Sequence, residues 1–242
     1  MEDRMETTMQ GTGPHFADVV VRRSIVPSVN QPPPRDALVV LDQFGTIVSV
    51  QHDRQIHGQG DEADFCYRIL SGCVRTVKLM EDGRRQIGEF LMAGDLLGFD
   101  ALEVYDFAAE AVSDVVLRRY PRRMVEALAE SNVALTRRLR DMTGISLRMA
   151  HSRLVLLGRK TASERIASFL LEMVERLPEA RAHVLDLPMG RTDIADHLGL
   201  TIETVCRVLA HLRRDGTVAI ERGSITIRDD AALQQMASDS RH

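Results

Sequence analysis

The chain has little cysteine, almost no lysine and no long apolar run. Three cysteines in 242 residues, Cys66, Cys73 and Cys206, exclude a disulfide scaffold and are too few for a four-thiolate zinc or iron-sulfur site within one chain. A reducing cytoplasm is therefore the expected location. Apolar segments are broken by a charge or a glycine well before eighteen residues, and the N-terminus, Met1 to Glu6, is acidic and polar with no apolar core to follow. The expectation is no membrane span and no secretory signal. No internal repeat and no low-complexity segment is visible. A phosphate-binding glycine loop, a zinc-protease helix motif and a nucleophile elbow are all missing, so no enzyme is expected. Of 31 basic residues only Lys78 and Lys160 are lysines. The net charge of −4 argues against a uniformly basic coat for nucleic acid but leaves room for a local basic face.

What is present is enough for one large or two ordinary domains, at 44% hydrophobic and 27% charged residues. Residues 1 to about 35 are polar and end in Pro32-Pro33-Pro34, which reads as a mobile tail. From 36 to 121, short apolar runs alternate with turn chemistry: Phe65 to Leu70, Ser71-Gly72, Cys73 to Met80, Glu81-Asp82-Gly83, Gln86 to Leu91, Gly94-Asp95. That spacing predicts a β-sandwich or barrel. Alternation in the second run is imperfect, with Val74, Thr76 and Lys78 on one side and Cys73, Arg75, Val77 and Leu79 on the other.

After Pro121 the apolar spacing changes to three and four. Residues 122–158 read as one long helix carrying a stripe of Leu135, Leu139, Met142, Ile145, Met149 and Leu156, expected to form a two-helix dimer seam. Cover by the β-domain is the competing reading of the same stripe. Gly158 reads as a hinge toward a helix over Ser163 to Leu177.

The last third, 159–242, carries the chemistry. A helix-turn-helix needs a small residue where its helices cross, a glycine to turn between them, and apolar residues to hold both helices down. Ile194, Ala195, Leu198, Gly199, Leu200, Val205 and Val208 fill those roles in order, and Thr201 is a good N-cap for the second helix. Helical geometry then leaves Glu203, Cys206 and Arg207 on one outward surface, with Ile202 and Ala210 nearby. Arg207 can pair with guanine O6 and N7, Glu203 can accept from cytosine N4 or hold the arginine fork, and Cys206 can touch a thymine methyl. A half-site with a G·C pair flanked by A·T pairs follows. Arg213-Arg214-Asp215-Gly216 ends the helix, and Val218 to Arg228 forms a hairpin, a wing with Arg222 at its turn. Thr201, Glu203, Cys206, Arg207, Arg213 and Arg222 are the expected contacts to double-stranded DNA.

These residues resemble the CRP/FNR transcription regulators over about residues 37 to 230. The resemblance is carried by Gly94-Asp95-Leu96-Leu97-Gly98-Phe99-Asp100-Ala101-Leu102 and by His197-Leu198-Gly199-Leu200-Thr201-Ile202-Glu203-Thr204-Val205-Cys206-Arg207. The Glu-x-x-x-Arg face is closest to the FNR branch, and the Glu-Thr-Val-Cys-Arg run resembles FixK-type proteins. The resemblance implies an α+β fold: a cyclic-nucleotide-binding-like β jelly roll, a dimerisation helix and a C-terminal winged helix-turn-helix. It also implies a homodimer on a TTGAT/ATCAA-like palindrome, activation of microaerobic or anaerobic respiration genes, and an RNA polymerase contact at the turn Glu81-Asp82-Gly83-Arg84. No cysteine precedes Cys66, which argues against the family's oxygen-labile cluster. Phe107-Ala108-Ala109-Glu110 offers no arginine to a cyclic phosphate. No cofactor is expected, and a ligand-gated sensor of haem, nitric oxide or a small effector is the rival reading.

Two further expectations concern single residue types. Cys206, near a helix N-terminus and beside Arg207, is a redox candidate, since oxidation would add bulk and negative charge against DNA. Cys66 and Cys73 read as buried structural thiols, and the histidines, which do not recur at metal-ligand spacing, as surface or satisfied groups. Asp229-Asp230 reads as part of a solvated loop after the wing.

Overall fold

Gly72 shows how local chemistry sets the first half of the fold. Its φ of +86° turns the chain between two strands, and a Cβ there would meet the Asp114 carbonyl oxygen at 2.3 Å, so only glycine fits. The strands it joins are β3 (Phe65–Ser71) and β4 (Val74–Leu79). After a short helix, α1 (Val39–Asp42), they join β1 (Thr46–Val50), β2 (Gln55–His57), β5 (Arg85–Leu91), β6 (Leu96–Leu97), β7 (Ala108–Ala111) and β8 (Val115–Pro121) in two four-stranded antiparallel sheets. Their orders are β1-β8-β3-β6 and β2-β7-β4-β5, so consecutive strands often lie in opposite sheets, as in the expected jelly roll. These observations come from a computed structural model that describes residues 37–177, 184–221 and 223–238. The tail read over residues 1 to about 35 and the wing residue Arg222 lie outside the described residues.

Side chains fill the space between the sheets. Ile69, Val74, Leu91, Tyr105, Ala109, Ala111 and Leu117 are all buried there. The imperfect alternation of β4 now has a cause: Val74 faces this interior, while Val77 on the opposite face enters a second core shared with the C-terminal helices. A strand that buries apolar side chains on both faces, with a bulge between Arg75 and Val77, loses the simple alternation of apolar and polar residues.

The stretch expected as one helix over 122–158 is two. Pro121 ends β8, α2 (Arg122–Ser131) follows, and Asn132 breaks the path with φ −118° and ψ 96°. Its side chain then accepts from the amides of Ala134 and Leu135, 3.1 Å each, and starts α3 (Val133–Arg159). An asparagine that caps new amides competes with helix continuation, and no periodicity of apolar residues reports that. Gly158, the expected hinge, is helical; the chain leaves α3 at Lys160, whose φ −80° and ψ 142° are extended. Thr161 and Glu164 then form a reciprocal capping box at the start of α4 (Ala162–Arg176).

Beyond α4 come β9 (Val184–Leu185), α5 (Arg191–Leu198), α6 (Ile202–Arg214), β10 (Val218–Glu221), β11 (Ser224–Ile227) and α7 (Asp230–Ser238). The wing hairpin β10-β11 gains a third strand, β9, paired at Ile225 with Leu185 and at Thr226 with Val184. Asp229-Asp230 is not a loop: an Asp229 carboxylate oxygen accepts from the Ala232 amide at 2.9 Å and begins α7. Leu233 of α7 is fully buried against the C-terminal core. No described helix is long and apolar enough to cross a membrane.

Candidate nucleic-acid interface

The turn between α5 and α6 is built as its residues dictate. Gly199 caps α5 with φ +61° and ψ 42°, a left-handed conformation that costs an L-residue about 1 kcal/mol or more. Ile194, Ala195, Leu198, Val205 and Val208 are buried, and Leu200 packs against them. Thr201 accepts from the Thr204 amide at 3.3 Å and caps α6. Arg165 of α4 braces the turn from behind, donating to the carbonyls of Leu157, Lys160 and Leu198 at 2.8–2.9 Å. One guanidinium thus serves the last carbonyls of both α3 and α5, groups that would otherwise lack partners.

The opposite face of α6 is open to solvent, with Ile202, Glu203, Cys206, Arg207 and Ala210 all exposed. The structure therefore brings Thr201, Glu203, Cys206 and Arg207 together on one turn and a half of helix. The arginine fork is not held by Glu203. Its Nη2 donates to the Thr204 hydroxyl at 3.3 Å, and that hydroxyl lies 3.2 Å from the Thr201 hydroxyl. Glu203 instead turns back on the cap, where its own backbone amide and the Thr201 hydroxyl hold the carboxyl below its ordinary value. It stays ionised near neutral pH and free to accept.

Arg213 is exposed one turn beyond Ala210 and lines the cleft between α6 and the wing, together with Ile220 and Arg228. A second cleft joins Cys206, Ala210 and Arg213 to Arg191. Arg191 was not singled out from the sequence, although a signal was there. It is the first residue of α5, where the helix dipole disfavours a cation, so its presence does not serve the helix. Half-burial pushes its pKa down from the ordinary arginine value.

Charge on the far side of the interface ties it to the β-sheets. The Asp193 carboxylate accepts from Arg75 at 3.0 Å through one oxygen and from Arg85 at 2.6 Å through the other. Arg85 also meets Asp196 at 2.5 Å, and Gln86 donates to the Asp196 carbonyl at 2.6 Å. Beside them His197 is buried, with Phe90 at 4.9 Å and Phe169 at 5.8 Å between ring centroids. Burial and the Arg153 charge depress its pKa to about 3.

The stripe expected to form a dimer seam divides in two. Leu135 is fully buried in this chain's own core with Leu38, Leu41, Tyr120 and Val125, and Leu139 and Met142 pack against that cluster. Leu156 packs against the C-terminal core, and Met149 is half-buried. Leu135 is therefore unavailable to a partner; the β-domain and α2 cover it. Ile145 is exposed, and the other large apolar residues left open on this helix are Val133, Leu147, Leu154 and Val155, at 57–70% exposure. Gly144, Leu147, His151, Leu154 and Gly158 repeat at spacings of three and four along one side of α3.

Cys66 and Cys73 are buried, and burial pushes their thiols up to about 11 and about 12. Cys206 is exposed. No group of three or more metal-ligating side chains lies together among the described residues. A cyclic phosphate does not fit the jelly roll. Ala109 and Ala111 of β7 point into the packed interior, and Glu110 between them holds the Arg75 side chain at 2.8 Å, so this cation is already neutralised by carboxylates. Asp95 holds Arg176 of α4 at 2.6 Å.

Two family models match the chain: a cyclic nucleotide-binding domain over residues 47–132 and a Crp-like helix-turn-helix domain over 164–236. The nitrogen fixation regulation protein FixK of Azorhizobium caulinodans is 42% identical over 203 residues, covering 82% of each chain. The protein of the same name from Bradyrhizobium diazoefficiens is 36% identical over 199 residues, 81% of this chain and 84% of that one. The solved structure of FixK2 from Bradyrhizobium japonicum superposes with a TM-score of 0.76 at 41% identity, covering 79% of this chain and 96% of that one. With a jelly roll, a central helix and a winged helix-turn-helix in this order, and relatives at this identity along four-fifths of its length, the chain belongs to the CRP/FNR family of transcription regulators, among its FixK-type members.

Proposed function

We propose that the protein binds a TTGAT/ATCAA-like palindrome as a homodimer and activates genes of microaerobic or anaerobic respiration, without a bound effector. The observation that carries this reading is the open face of α6, where Glu203, Cys206 and Arg207 project together, exposed and uncovered among the described residues. Arg207 reads guanine and Glu203 the paired cytosine, while the small Cys206 side chain admits a thymine methyl. Arg213, Arg222 and Arg191 meet phosphates around them, which fixes register without reading sequence. The dimer forms along the exposed side of α3 through Leu147, Leu154 and Val155, flanked by Ile145. Two recognition helices then enter successive major grooves about 34 Å apart. The exposed turn Glu81 to Arg84 is the surface offered to RNA polymerase. Cys206 makes the contact sensitive to oxidation.

A ligand-gated sensor is the second reading, and one observation favours it. His57 lies buried against Tyr105, 3.6 Å between ring centroids, and its Nε2 has no hydrogen-bond partner among the described residues. The test is a titration of aerobically purified, reduced protein against a TTGAT-NNNN-ATCAA duplex and a scrambled duplex at one salt concentration. Strong preference for the palindrome supports effector-independent binding. Equal weak binding to both, with a Soret band or a stoichiometric ligand in the purified protein, moves the sensor to first place.

A further inference from the structure

The link between α3 and α4 is two extended residues, Lys160 and Thr161, so the angle of the C-terminal half is left to the side-chain contacts around it. Apolar packing between β5 and the C-terminal helices opposes separation, but such contact is non-directional and tolerates sliding. The ion pairs behave differently. Asp193 is held at both oxygens by arginines from two strands, its side chain 9% exposed and that of Arg75 13%. Arg85 divides its guanidinium between Asp193 and Asp196, one turn apart on α5, and Gln86 grips the α5 backbone at the Asp196 carbonyl. Arg75 is itself fixed from behind by Glu110. Charge-assisted forks of this kind set angle as well as distance.

We propose that Arg75, Arg85 and Gln86 of the β-domain are positioning residues for DNA recognition: by clamping Asp193 and Asp196 they set the angle of each recognition helix in the dimer, and so the spacing between half-sites that the protein accepts. They touch no base. Every base pair added between half-sites moves one of them by about 3.4 Å and rotates it by roughly 35°, so a rigid clamp accepts one spacing and a loose one several. The inference rests on the palindrome-binding dimer proposed above, and the experiment separates the two.

Wild-type protein and the variants Arg85→Met, Arg75→Met/Arg85→Met and Asp196→Asn are titrated against palindromes whose spacers run from two to six base pairs, and against a duplex with a single half-site. Wild type is expected to prefer one spacer by tenfold or more. In the double variant that preference falls to threefold or less, while single half-site affinity stays within about twofold, which a merely misfolded domain would not preserve. Asp196→Asn, which removes one arm and leaves Asp193 paired, gives an intermediate preference and serves where the double variant does not fold. Arg85→Lys, keeping the charge without the fork, restores little of the selectivity. Unchanged spacer preference in the folded variants overturns the clamp alone. A wild type that binds every spacer alike overturns the clamp and the palindrome reading together.

Discussion

Arg153 of α3 places one guanidinium nitrogen 2.9 and 3.0 Å from the two ring nitrogens of His197 on α5, so the central helix and the helix-turn-helix meet at a buried, uncharged imidazole. Protonating that ring would set two cations side by side in an apolar pocket formed with Phe90 and Phe169. Its pKa accordingly falls from 6.5 to about 3 through burial first and Arg153 second.

Stability should therefore depend on pH in a defined window. The unfolded chain protonates His197 near pH 6.5 and the folded chain does not until about pH 3. Its neutral form thus favours the fold above pH 6.5, and this contribution is lost as pH falls from 6.5 toward 3, by up to about 1.4 kcal/mol per unit. Urea melts of wild type and His197→Leu across pH 7.5 to 5 should converge as pH falls, the variant losing less. Parallel pH curves for the two proteins would remove His197 as the cause.

A negative charge at the exposed side of α3 should separate the subunits. Leu147→Glu or Leu154→Glu is expected to weaken the dimer by at least about tenfold, or 1.4 kcal/mol, in sedimentation equilibrium, with palindrome binding falling in parallel. Leu135→Ala should act on the fold instead. It empties a site in the chain's own core and costs about 2–5 kcal/mol, leaving the folded protein dimeric.

Arg207 and Arg213 should fail in different ways. Arg207→Ala is expected to relax discrimination at the G·C position by about 1–3 kcal/mol, measured against duplexes carrying each of the four pairs there. Arg213→Ala should weaken binding to all sequences alike and reduce the slope of log K against log salt by about one. The reverse outcome would move the reading face to the C-terminal end of α6.

Oxidation is expected to act through one thiol. The buried Cys66 and Cys73 are protected by their raised pKa, whereas Cys206 is exposed on the reading face. Peroxide should abolish palindrome binding by wild type and leave Cys206→Ser active. Equal loss in both proteins would exclude Cys206 as the sensitive group.

The helix-turn-helix was legible because its constraints are local and dense: Gly199, the cap at Thr201 and the buried positions around them all lie within fifteen residues, each serving one backbone or packing need. The jelly roll was legible in its turns, less so in β4, whose two covered faces hide the period-two signal. Asn132 and Asp229 were misread for a related reason. Whether such a side chain caps a helix or faces water depends on the path of the chain around it, which spacing does not encode. The apolar stripe of α3 was visible, but its division was not. Leu135 and Leu147 look alike in sequence and differ because Leu38, Leu41, Tyr120 and α2 close over the first. The Asp193 clamp joins residues more than a hundred positions apart, beyond the reach of any motif.

The core that joins Val77, Ile87 and Phe90 of the sheets to Phe169, Leu170 and Met173 of α4 has a bearing on the lifetime of the regulator. Because one apolar cluster spans both halves, neither can open far without exposing apolar surface of the other, and the two are expected to melt as one cooperative unit. A lesion on either side then raises the unfolded fraction of the whole chain, and proteases that survey that fraction set the regulator's abundance through residues that never approach DNA.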